Sequence, residues 1–142
     1  MKVRKLTSKD YGRVTDLWTR AGLSFRPKGR DSKEAIAGLM KANPDFFLGV
    51  FEDNLLVGVA VLSSDMRKGW INRLAVDPDY RRLGIAKMLV AESERIFKKR
   101  GLRMFCVLID DENAESKALF RKIGYVEHRD IIYFSKRDNE DI

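Results

Sequence analysis

The chain has 142 residues, 44% of them hydrophobic, and a net charge of +7. That length suits one domain with one core, and the balance of apolar and charged residues excludes a disordered chain. With no apolar run of about eighteen residues it holds no membrane-spanning helix, and its single cysteine, Cys106, excludes an internal disulfide or a multi-cysteine metal site.

Val3 to Leu6 reads as a short strand. It has neither the apolar core nor the cleavage site of a signal peptide, so a cytoplasmic protein is expected. Thr7 and Asp10 stand at capping-box spacing before Tyr11, Val14, Leu17, Trp18 and Ala21, which recur at helical spacing up to Gly22. After a polar loop, Asp31 and Glu34 offer a second capping box, and Ile36, Leu39 and Met40 form a helical face that ends before Pro44. Phe46 to Phe51 and Leu55 to Leu62 flank a turn and predict an antiparallel hairpin. Gly69 to Val76 is a further strand. Ile85, Ala86, Leu89, Val90, Ser93, Ile96 and Phe97 mark a long helix ended by Gly101. Met104 to Ile109 is an apolar strand, Asn113 caps a short helix ending at Gly124, and Tyr125 to Phe134 predicts one bent or two short strands. A strand–helix–strand unit from Gly69 to Ile109 implies a parallel crossover, whereas the hairpin implies antiparallel pairing. A mixed α/β fold with helices on both faces of the sheet is expected.

The stretch from Leu74 to Ala86 carries the chemistry. A strand ends, a short turn follows, and a helix opens behind Gly84. First-turn amides lack intrahelical partners and attract phosphate. Gly84 and Ala86 allow a diphosphate to approach the backbone, and Arg81 and Arg82 add cationic donors. No Gly-Lys-Ser/Thr follows Gly84 and no G-x-G-x-x-G occurs, so neither a nucleoside-triphosphate loop nor a dinucleotide fold is supported. An ordinary helix start would show the same spacing.

Arg81-Arg82-Leu83-Gly84-Ile85-Ala86 resembles the acetyl-CoA signature of the GNAT superfamily, and Leu74 to Tyr80 resembles the strand and turn before it. Asn113 to Tyr125 resembles the later helix of that family, and the order of elements agrees from about Val3 to Phe134. The resemblance implies one GNAT domain over residues 1–142, with a mostly antiparallel twisted sheet and a splayed parallel strand pair. It implies an N-acetyltransferase that moves acetyl from acetyl-CoA, its cosubstrate, to a primary amine by direct attack, with no metal. Leu74, Ala75 and Val76 would meet the pantetheine arm, the Val76 amide acting as oxyanion donor. Arg81, Arg82, Leu83, Gly84, Ile85, Ala86 and Lys87 would surround the diphosphate, with Asn113, Ser116 and Phe120 as further cofactor contacts.

Two family positions differ. Phe120 stands where a tyrosine acid is usual, and Trp70 and Ile71 occupy the neighbourhood of a glutamate base. A non-catalytic acyl-CoA sensor is therefore the alternative. The resemblance places acceptor contacts in two loops. Asp65 would bind or deprotonate the amine beside Arg67 and Trp70, and Phe25 and Arg26 would wall the site; a solvated turn and a packed loop are the plainer readings. His128 and Cys106 read as structural, and Asn113 as a helix cap or a cofactor ligand. Nucleic acid is suggested by net charge alone and is not expected as a partner. A homodimer is compatible with the sequence.

Overall fold

The computed structural model describes Met1 to Ile142. Its sheet is built from β1 (Val3–Lys5), β2 (Phe47–Glu52), β3 (Leu55–Ser64), β4 (Gly69–Val76) and β5 (Phe105–Val107) in that spatial order. The first three junctions are antiparallel, and β4 and β5 are parallel. Four helices accompany it: α1 (Tyr11–Arg20), α2 (Lys33–Ala42), α3 (Ile85–Lys99) and α4 (Ala114–Lys122). This is the mixed, mostly antiparallel sheet that the family resemblance implied. No helix is long and apolar enough to cross a membrane.

Two glycines set the seat of α3. A Cβ on Gly58 would stand 2.4 Å from Ile85 Cγ2, and one on Gly69 would stand 2.4 Å from the Phe97 ring. The strands thus present bare backbone where both ends of α3 press against the sheet. Ile85, Leu89, Val90, Ile96 and Phe97 are buried there. On the other face Trp18 of α1 is fully buried beneath Arg73 of β4. The core therefore has apolar residues on both sides of the sheet, and cleft-forming strands are held between two helical layers.

The Thr7 capping box forms: the Thr7 amide donates to Asp10 Oδ2 at 2.9 Å, opening a 3-10 turn that leads into α1. The second box does not. Ser32 caps α2 by accepting from the Ala35 amide, and Asp31 turns away to Arg73. Two strand expectations also need correction. β5 spans only Phe105–Val107, and Tyr125 to Phe134 forms no strand. A strand needs a partner ladder, and the chain after α4 never pairs with the free edge of β5, so Ile131, Ile132, Tyr133 and Phe134 remain exposed.

Candidate active site: a parted strand pair and a run of free amides

The cleft begins with an irregularity in β4. Val61 pairs with Asn72 and Val59 with Ala75, so β4 carries one residue more than β3 over this interval. Arg73 takes up the surplus with φ of +53°. A bulge of this kind bends its strand. Pairing between β4 and β5 runs from Gly69↔Phe105 to Ile71↔Val107 and goes no further, so the two strands part ahead of the bulge.

The register fixes which groups line the gap. The Asp77 amide donates to Val57 O at 2.8 Å, on the β3 side. Successive amides of a strand point to opposite sides. The Val76 amide therefore turns away from β3, toward the space that β5 has left.

Next comes the turn into α3. Asp77 is buried, accepts from the Asp79 amide and holds Arg20 Nε at 3.0 Å, which fastens the turn to α1. Arg20 also reaches Leu56 O at 2.9 Å. Beyond this anchor, the amides from Arg81 to Gly84 have no partner within the chain. Those of Ile85, Ala86 and Lys87 lie in the first turn of α3, where no carbonyl precedes them at helical spacing. Arg82 and Gly84 both take left-handed backbone, with φ of +65° and +80°. Alternating conformations of this sort turn successive N–H groups into one concavity that suits an anion. No acidic residue occupies the first turn of α3, and Arg81, Arg82 and Lys87 have no carboxylate partner. The positive potential of the helix end is left uncompensated.

The model of the acetyltransferase (GNAT) family matches residues 11–125. The chain belongs to the GNAT acetyltransferase family. An acetyltransferase of Photorhabdus laumondii is 29% identical over 138 residues, covering 96% of this chain and 95% of that protein. The PaiA N-acetyltransferase of Thermoplasma acidophilum, solved in complex with coenzyme A, superposes with a TM-score of 0.74 at 26% identity over 87% of each chain. The aminoglycoside N-acetyltransferase AAC(6')-Iy in complex with CoA gives 0.74 at 20% identity, over 96% of this chain and 94% of that one, and speaks for the fold. The enzyme class expected from the sequence, an acetyl-CoA-dependent acetyltransferase, stands with this GNAT membership.

Around the GNAT cleft the expected site residues divide. Leu74, Ala75 and Val76 lie on the parted stretch of β4, and Arg81 to Lys87 form the amide concavity that follows. Phe25 and Arg26 stand on the loop between α1 and α2. Phe25 packs on Trp18 with ring centroids 5.6 Å apart, and the Arg26 amide donates to Asp31 Oδ2 at 2.7 Å. Since Arg73 reaches that loop too, it covers the bulge. Asn113 caps α4, its Oδ1 accepting from the Ser116 amide at 3.0 Å, which leaves its NH2 group free. Phe120 is buried and meets Tyr125 edge-on, with centroids 4.9 Å apart.

Asp65, Arg67 and Trp70 are not brought to this place. Asp65 and Arg67 lie in the turn joining β3 to β4, and Trp70 is the second residue of β4. Val76 is at the far end of that strand, roughly 23 Å from Gly69 at ~3.3 Å per residue. The Asp65 carboxylate accepts the Lys68 and Arg67 amides, which hold it below the usual aspartate range. It is a turn-former and a poor base, and the role suggested for it is withdrawn.

Nor does Tyr125 replace the missing tyrosine. Its hydroxyl donates to Glu94 Oε2 at 2.7 Å, and burial, with Glu94 beside it, drives its ionisation far above the ordinary tyrosine range. Arg20 and Arg73, which matter to the site, escaped the sequence reading, and Asp31 was read only as a helix cap. A charged residue, Arg73, set after Asn72 within the strand Ile71 to Val76 was the one local signal.

Proposed function

We propose that the protein transfers the acetyl group of acetyl-CoA to a primary amine, of a protein terminus, a lysine or a small molecule. The observation that carries this reading is the run of unpartnered amides from Arg81 to Lys87 lying just past the parted ends of β4 and β5. The diphosphate sits in the amide concavity, assisted by Arg81 and Arg82, and the pantetheine arm extends β4 where β5 has left it. The relative solved with coenzyme A supports the same ligand.

In this arrangement the Val76 amide faces the thioester carbonyl and stabilises the oxyanion that develops there. The amine enters from beside Phe25 and Arg26. Its nitrogen bonds to the acetyl carbon, the carbon–sulfur bond breaks, and the proton lost from nitrogen ends on the CoA thiol, directly or through water. No side chain near Val76 is assigned as acid. A thiolate leaves with a parent pKa near ~8.5, so departure needs little help. Holding the two reactants together then supplies much of the acceleration. A cytoplasmic location goes with this reading.

The test is acetyl-CoA with a panel of peptide N-terminal amines, lysine peptides and small diamines, read by thiol release and by mass of the acceptor. Thiol release matched by an acetylated amine is expected. Tight acetyl-CoA binding with no acetylated product from any amine would point instead to a sensor, the reading that buried Phe120 favours.

A further inference from the structure

A strained spot lies beside the cleft, at Arg73. Its backbone is left-handed, at φ +53°, a conformation that a long side chain disfavours and that glycine or asparagine would adopt more cheaply. Its Nε is buried without a hydrogen-bond partner, and so is the indole nitrogen of Trp18, whose ring lies 4.5 Å beneath the guanidinium. These are the two orphaned buried side-chain nitrogens of the chain, and they belong to two side chains stacked on one another. Orphaned donors and unfavourable backbone found together mark places kept for function over stability.

What the side chain does is specific. Nη1 donates to Ser24 O at 2.8 Å, and Nη2 donates to the buried Asp31 carboxylate at 3.1 Å. Asp31 Oδ2 also takes the Arg26 amide, and its main-chain carbonyl takes the Tyr11 hydroxyl at 2.7 Å. One side chain on the bulge thus fastens both ends of the loop that carries Phe25 and Arg26. The residue that completes the bend of β4 also fixes the height of the loop above it.

We propose that Arg73 and Asp31 form a positioning pair for the acceptor amine, setting where the α1–α2 loop stands relative to the thioester while leaving acetyl-CoA binding to the Arg81–Lys87 amides. This rests on the proposed acetyl transfer. The pair touches neither reactant; it acts through Phe25 and Arg26. Such coupling lets one ion pair align amine and thioester, and a misplacement of about 1 Å at this point costs roughly 100-fold in rate.

The test uses Arg73→Ala, Arg73→Lys, Asp31→Asn and the double variant Arg73→Ala/Asp31→Asn in the full chain. Acetyl-CoA affinity is read by calorimetry, and loop release by trypsin cutting after Lys28 and Arg30. Steady-state kinetics use whichever panel amine the wild type acetylates best. The expected result is an unchanged acetyl-CoA Kd in every variant, with faster trypsin cutting of the loop. The kcat/KM for the amine should fall by roughly 100-fold in Arg73→Ala and Asp31→Asn. Lysine keeps the charge but lacks the planar guanidinium fork and should restore part of that loss. The double variant should be no worse than the single ones, since both remove the same interaction. Additive losses, or amine kinetics left intact while the loop is released, overturn the proposal. If instead the wild type binds no acetyl-CoA, the parent reading fails first, and the pair is then a staple of the fold and nothing more.

Discussion

At Gly84 no atom lies within 4 Å of where a Cβ would stand, so space does not limit substitution there. Its φ of +80° does. Gly84→Ala should cost about 1 kcal/mol of stability from backbone strain alone. Gly84→Glu should cost a similar amount and also abolish acetyl-CoA binding, because its carboxylate enters an anion site; thermal melts beside calorimetry separate the two effects. Glu127 gives a second residue-level expectation. Arg129 and Arg121 beside it pull its carboxyl down to about 2. A depressed folded value means the stabilisation is complete above the unfolded glutamate pKa of ~4.3 and is lost as pH falls toward 2. The site is exposed, so salt should weaken the effect. Melting temperatures from pH 6 to pH 2 should fall less steeply in Glu127→Gln than in the wild type, and parallel curves would remove Glu127 from the acid limb. Gly84 and Asn113 were legible in the sequence because a helix boundary is a local matter of glycine or a capping side chain. Arg73 and Asp31 were not, since their partner stands 42 residues away.

At the scale of elements, α3 shows what period can reveal and what it cannot. Its buried face was readable from apolar spacing, and Ile85, Leu89, Ile96 and Phe97 are indeed interior. What presses it down is Gly58, a residue of β3 with no helical signal. Gly58→Ala should push Ile85 and Leu89 outward, costing about 1–3 kcal/mol as an overpacked core contact. Since Ile85 opens the anion site, acetyl-CoA affinity should fall together with the melting temperature; affinity left intact in a clearly destabilised variant would separate seat from site. The strands expected over Tyr125 to Phe134 illustrate the converse. Their residues have strand-forming side chains, yet propensity supplies no ladder, and the segment is irregular and, from Val126 on, exposed. The bulge at Arg73 comes from a register difference between two strands, which no single segment encodes.

Across the whole molecule, charge and topology converge on one end of β4. The net charge of +7 is spread over the sequence, yet the cations beside the free amides, Arg81, Arg82 and Lys87, lack carboxylate partners, whereas Glu127 and Asp10 each gather more than one arginine elsewhere. That uncompensated positive charge favours an anion at α3, and the parted strands leave a free backbone edge beside it. An aminoglycoside acetyltransferase shares this fold, and a fold by itself does not fix the amine. Amide hydrogen exchange, followed by mass spectrometry with and without acetyl-CoA, tests the central claim most directly. Protection should appear over Arg81 to Lys87 and around Val76, with the Asp65 turn unchanged. Saturating ligand that leaves Arg81 to Lys87 exchanging as before would contradict it.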